Sequence, residues 1–132
     1  MQLINELNFL YPFPRHKSTE AVKVLLQRGA DPCIPDDETE TPLLFAARRG
    51  YKDIAALLLE DTRTEVNYAD SKNLTAFHAA CSSGDRSLCE LLLKYGADLT
   101  AKTKNRLTGL HFAALNGDAD ICDLLVSTGM FQ

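Results

Sequence analysis

Thr41-Pro42-Leu43-Leu44-Phe45-Ala46-Ala47-Arg48-Arg49-Gly50 returns as Thr75-Ala76-Phe77-His78-Ala79-Ala80-Cys81-Ser82-Ser83-Gly84, and again as Thr108-Gly109-Leu110-His111-Phe112-Ala113-Ala114-Leu115-Asn116-Gly117. The two intervals are 34 and 33 residues. A unit of that size cannot bury its own apolar face and has to stack on its neighbours, so the recurrence predicts a repeat array. Function in such an array falls on a surface rather than in an enclosed pocket.

Outward from each stretch the pattern is helical. The small pairs Ala46-Ala47, Ala80-Cys81 and Ala113-Ala114 let a neighbouring helix approach closely, and Gly50, Gly84 and Gly117 stop the first helix by accepting a left-handed conformation. A second helix then carries Ile54, Leu57 and Leu58, then Leu88, Leu91 and Leu92, then Ile121, Leu124 and Leu125. Their i, i+3, i+4 spacing makes one inward stripe. Asp53, Asp85, Asp118 and Asp120 fall in first turns, where negative charge suits the helix dipole. Gly29-Ala30-Asp31, Gly96-Ala97-Asp98 and Gly129 end second helices and open polar loops. The first full unit has Asp61-Thr62-Arg63-Thr64-Glu65 instead, one residue longer, which accounts for the 34-residue interval and predicts a small bulge.

The whole-chain numbers set bounds. At 132 residues, 45% apolar and 24% charged, the composition is that of one globular domain. A net charge of -4 argues against a nucleic-acid partner, since phosphate-backbone affinity comes from excess Lys and Arg. The longest apolar run, Ile54 to Leu59, is far below the roughly 20 residues of a membrane span, so no membrane insertion is expected. Met1-Gln2-Leu3-Ile4-Asn5-Glu6 does not read as a secretory signal, and the cytosol or nucleus is the expected location. Cys33, Cys81, Cys89 and Cys122 contain no C-x-x-C pair and are expected to be buried, reduced thiols. Cys89 and Cys122 hold one position in successive units, about 8–10 Å apart in a stack and beyond disulfide reach.

These residues resemble the ankyrin repeat, whose T-P-L-H-x-A-A-x-x-G signature and trailing L-L-x-x-G-A-D they follow almost in register from Glu20 to Gly129. The resemblance implies an all-α solenoid of helix-turn-helix units with protruding hairpin-like loops. Its units are 1–34, a divergent N-terminal capping repeat; 35–68; 69–101; and 102–132. Leu44 replaces the signature His of the first full unit, and Ala76 and Gly109 replace Pro in the next two. The loss of Pro predicts looser helix starts there. Leu3, Ile4, Leu7 and Leu10 form a short helical stripe that Pro12 and Pro14 stop, so Tyr11-Pro12-Phe13-Pro14 reads as a linker in preference to a polyproline ligand. The last unit carries an interior-type apolar pattern, and its end is expected either to continue into more repeats or to be covered by Met130 and Phe131.

No nucleophile motif, phosphate loop or metal-binding helix occurs, so neither an enzyme nor a cofactor is expected. The resemblance gives His78 and His111 a structural role against loop backbone; a zinc site would need about four converging ligands. It also implies protein binding through a concave strip of loop tips and first helices. Residue by residue the strip takes Asp37, Glu38, Glu40, Arg48 and Arg49, then Ser71, Lys72, Leu74, Ser82 and Ser83, then Lys104, Asn105, Leu107, Leu115 and Asn116. Asn67, in Glu65-Val66-Asn67 with Leu59 eight positions upstream, resembles the asparagine that hydroxylases modify in such repeats.

Charge changes along the strip. Asp36-Asp37-Glu38-Thr39-Glu40 holds four acids, the second tip mixes Asp70 with Lys72, and the third holds Lys102, Lys104 and Arg106. The expected partner is another protein or an extended peptide, basic near the first full unit and acidic near the third, with Leu74, Leu107 and Leu115 as apolar anchors. A monomer or part of a larger chain is expected, serving as scaffold, adaptor or targeting module. The alternative is a regulatory segment of a larger enzyme or channel, packed against another domain of its own chain.

Overall fold

The computed structural model describes residues 18–36 and 38–129. Asp37, residues 1–17 with the Tyr11-Pro12-Phe13-Pro14 link, and Met130 and Phe131 lie outside the described residues. The described residues form seven helices and no strand: α1 (Ser18–Gln27), α2 (Pro42–Arg49), α3 (Lys52–Glu60), α4 (Ala76–Ser83), α5 (Arg86–Lys94), α6 (Gly109–Leu115) and α7 (Ala119–Ser127). The chain is an all-α solenoid.

Two layers of helices run along the stack. The first helices α2, α4 and α6 pack on one another in sequence, and α1, α3, α5 and α7 form the second layer. The first layer is the tighter, because its facing residues are small: Ala46, Ala47, Ala79, Ala80, Cys81 and Ala113 are all buried. Closer approach on one side curves the stack toward that side, so the first helices and the tips before them line its inner face. Phe45, Phe77, Leu58, Leu88, Leu92, Ile121 and Leu125 fill the space between the layers and are fully buried. Burying a side chain of this size contributes roughly 1.5–3 kcal/mol, so the stack is held mainly by its recurring apolar positions.

Helix starts show where the sequence reading needs correction. Ala76 and Gly109 do not loosen α4 and α6. Thr75 N–H donates to His78 Nδ1 (3.0 Å) while His78 N–H donates back to Thr75 Oγ1 (3.3 Å), and Thr108 and His111 repeat the exchange at 2.9 and 3.5 Å. Each is a reciprocal cap that satisfies two otherwise orphaned donors. In α2, where Leu44 stands in place of His, Thr41 accepts one bond, from Leu44 N–H at 3.4 Å, and Pro42 supplies the preset first turn. Pro and His are thus alternative ways of starting the same helix. Asp85 and Asp118 also do more than complement a dipole, since their carboxylates cap α5 and α7 through Leu88 N–H and Ile121 N–H.

Gly109 has a second reason to be glycine. A Cβ there would lie 2.8 Å from Phe77 Cε2 and 2.9 Å from Cys81 Sγ, both fully buried groups of the preceding unit. The cysteines divide into two kinds. Cys81 and Cys89 are fully buried with their sulfurs 3.7 Å apart, a juxtaposition of α4 with α5 that spacing did not reveal. The Cys89 thiol and burial together push the Cys81 thiol far above its ordinary range, which suppresses the reactive thiolate. Cys33 and Cys122 are only half-buried, contrary to expectation.

Candidate functional site

Each tip begins with a side chain that closes its own turn. Asp36 Oδ1 accepts from Glu38 N–H and Glu40 N–H, and Asp70 Oδ1 accepts from Lys72 N–H and Leu74 N–H. Thr103 Oγ1 takes the corresponding bond from Leu107 N–H at 3.2 Å. Short oxygen-bearing side chains fold back on the backbone readily, which is why they stand at these positions. Each turn closes through one left-handed residue, Thr39 (φ 66°), Asn73 (φ 60°) or Arg106 (φ 66°). For Thr39, a β-branched residue, that is a strained conformation.

Thr39 is held there by its neighbours. Its Oγ1 accepts from Ser71 N–H (2.9 Å), and its carbonyl accepts from the Tyr68 hydroxyl (2.8 Å), joining the first two tips. The second and third tips are joined by Lys104 N–H donating to Lys72 O (3.1 Å). Deeper in the stack, His78 Nε2–H donates to Ala101 O (2.8 Å), fixing the neutral tautomer while Nδ1 serves the cap, and Phe112 meets the imidazole edge-on. Leu44 cannot make this link, and Tyr68 with Thr39 supplies one between the corresponding units. Neither Thr39 nor Tyr68 stood out in the sequence, because their role depends on a neighbouring loop.

His111 makes only part of the contact set of His78. Its Nδ1 accepts from Thr108 N–H just before its own helix, but its ring bonds no following loop among the described residues, and it is exposed. Asn67 clamps the next loop: its amide donates to Gly96 O (3.1 Å) and accepts from Asp98 N–H (2.8 Å).

The expected strip residues fall into two groups. Glu40 forms a bidentate pair with Arg48 (2.7 and 2.9 Å), and the guanidinium groups of Arg48 and Arg49 lie 5.7 and 5.3 Å from the centre of the buried Phe45 ring. Asn116 donates to Ser82 O across two units, and Ser83 bonds back to Ala80 O in its own helix. Leu74 and Leu107 are half-buried tip supports. These side chains, with Asp36, serve the stack as well as its surface. Glu38, Ser71, Lys72, Ser82, Lys104 and Asn105 are exposed, and Leu115 is 75% exposed at the end of α6.

The described residues contain no group of three or more metal-ligating side chains and no helix long and apolar enough to cross a membrane. The mutual geometry is that of stacked helix pairs with linked, protruding tips. Residues 14–103 match the family of ankyrin repeats, in three copies. The chain belongs to the ankyrin-repeat family. The α6–α7 pair continues the ankyrin geometry beyond the matched stretch.

Among curated ankyrin relatives, BCL-6 corepressor-like protein 1 of Homo sapiens is 32% identical over 94 residues, covering 71% of this chain and 5% of that protein. The nuclear factor NF-kappa-B p105 subunit of Rattus norvegicus is 32% identical over 107 residues, 76% of this chain and 11% of that protein. The transient receptor potential cation channel subfamily A member 1 of Homo sapiens is 29% identical over 102 residues, 74% and 9% respectively. The chain therefore spans a small fraction of the relatives it matches.

Burial makes the ankyrin histidine a source of pH dependence. Desolvation pushes His78 below its ordinary value of 6.5, outweighing the Ala101 carbonyl and the nearby Asp70 and Asp98 charges. Above pH 6.5 both folded and unfolded chains hold it neutral, and its contribution is fully present. Below that value the unfolded chain takes up a proton that the folded chain refuses, so stability falls with decreasing pH, by at most about 1.4 kcal/mol per unit, until the folded group titrates. Asp98, lowered by the Thr100 hydroxyl, and Asp61, lowered by Arg63, lose their contributions only as pH falls below about 3.8. Urea midpoints measured from pH 7.5 to about 5 should therefore decline in the wild type. They should decline less in His78→Gln; equal slopes would refute the assignment.

Proposed function

We propose that this chain is a protein-binding module that takes an extended segment along its inner face, across the loop tips and over the first helices, in a scaffold, adaptor or targeting role. The observation that carries the reading is Leu115. A large apolar side chain, 75% exposed, stands on the first-helix layer at the far end of α6 from its tip, at the position that Arg48 and Ser82 hold in the preceding units. The recurring Thr starts are buried in the stack, whereas the position that varies as Arg48, Ser82 and Leu115 faces solvent in all three units.

Selection of peptides from a displayed library on the wild-type chain tests this, with Ser82→Arg/Leu115→Arg as the counter-screen. Both sites are exposed, so the variant should fold while obstructing the helix floor. Enriched peptides should lose about tenfold or more of their affinity for the variant. No enrichment, or equal binding to both proteins, would remove the proposal.

A second reading, a regulatory segment packed on another part of a larger chain, is favoured by the outer side of the third unit. His111 Nε2 has no partner among the described residues where His78 Nε2 bonds the next loop, and Ala114 is exposed where Cys81 is fully buried. Ala114→Arg would obstruct that side and leave peptide binding at Ser82 and Leu115 intact.

A further inference from the structure

We infer that the second and third tips form a cationic edge that selects an acidic, extended protein segment, and that Leu115 anchors an apolar residue of the same segment. This rests on the binding role proposed above and names the partner's chemistry. Lys72, Lys102, Lys104 and Arg106 are all exposed, and none forms an ion pair among the described residues. The third tip closes its turn with the neutral Thr103, where the other two use Asp36 and Asp70, so its cations have no carboxylate in their own turn. The Lys104 N–H to Lys72 O bond joins the second tip to the third and brings Lys72 alongside the third tip's cations.

The acidic first tip stands at the other end of the strip. Glu40 is paired with Arg48, whereas Asp36, whose carboxylate also holds two backbone donors, and the exposed Glu38 keep their charges. Successive units are about 8–10 Å apart, so the first tip lies roughly 16–20 Å from the third, about two Debye lengths at physiological salt. The two ends are therefore read separately, and the acidic segment is recognised at the cationic end. A long polyanion is disfavoured on a chain of net charge -4, because it would run from the cationic edge onto acidic surface.

Geometry adds a spacing. From Gly109 to Leu115 the axis of α6 rises about 9 Å, which an extended peptide covers in about three residues. The matching segment is an acidic run with a large apolar residue about three to four positions from it.

A labelled peptide with an acidic run followed, about three residues on, by Leu is the probe. Controls are the same peptide with its acids changed to Ser, a single-stranded oligonucleotide, and vesicles containing an anionic lipid. The wild type should prefer the acidic peptide over every control, with affinity falling as salt rises. Lys72→Glu/Lys104→Glu/Arg106→Glu should weaken it about tenfold or more, Leu115→Ser severalfold, and Glu38→Lys less than about twofold. Circular dichroism verifies that the variants remain folded. Unchanged affinity in the triple variant, equal binding of the neutral peptide, or tighter binding of the oligonucleotide or vesicles would each overturn the inference. If library-selected peptides are lost on Ser82→Arg/Leu115→Arg but indifferent to the triple reversal, the binding role stands and the acidic-segment inference falls.

Discussion

Gly109→Pro, which restores the ankyrin signature at α6, is expected to destabilise the protein by several kcal/mol. In an isolated unit the change would help, because proline at a first helical position carries the right φ and its missing N–H is not needed there. Here any Cβ arrives 2.8 Å from the Phe77 ring and 2.9 Å from the Cys81 sulfur. Neither group can retreat, since Phe77 and Cys81 are 1% and 0% exposed. Overpacking of this kind typically costs about 1–3 kcal/mol for a single added group, and the pyrrolidine ring adds more atoms to the same space. Gly109→Ala separates the two components: it gains up to about 1 kcal/mol of helix propensity and loses more to the clash. Denaturant midpoints of the wild type, both variants and Gly109→Ala/Phe77→Leu check this. The smaller side chain should recover part of the alanine loss. An alanine variant as stable as the wild type would show that the interface yields and that the argument is wrong.

His78→Ala and His111→Ala should differ although they remove the same residue from the same motif position. The first deletes a buried ring, a cap partner for Thr75 N–H and the donor to Ala101 O, leaving a cavity and an unsatisfied carbonyl between two units. The expected loss is about 2–4 kcal/mol. The second deletes an exposed ring that serves only its own helix start, worth about 0.5–1 kcal/mol. Hydrogen exchange adds a spatial readout: His78→Ala should release protection in the 97–103 loop as well as in α4, whereas His111→Ala should affect α6 alone. Similar costs for the two variants would mean that the Ala101 bond contributes little.

The periodic features were readable because they are local. The Thr starts, Gly stops and apolar stripes of α2 to α7 follow from spacing within a single unit, and the family resemblance added the stacking and the face on which binding is proposed. The strip was harder. Pairing of Arg48 with an acid of the first tip was foreseeable, but Asn116 and Asp36 looked like free surface residues, and each is engaged, Asn116 with Ser82 O of the preceding unit and Asp36 with its own turn. Asn67 shows the same limit, since its Gly96 and Asp98 partners lie about thirty positions downstream.

Order of residues alone establishes an all-α array, its helix pairs, its three tips and the change from acidic to basic side chains between Asp36 and Arg106. Those depend on propensity, periodicity and turn chemistry, all of which act over a few residues. Folding in three dimensions assigns the rest: which acids are consumed by their own turns, which histidine is buried, why position 109 is glycine, and which cations remain exposed. Each of these turns on the distance between groups in different units, and a repeat converts a separation of about thirty residues into a few ångströms only when the units stack.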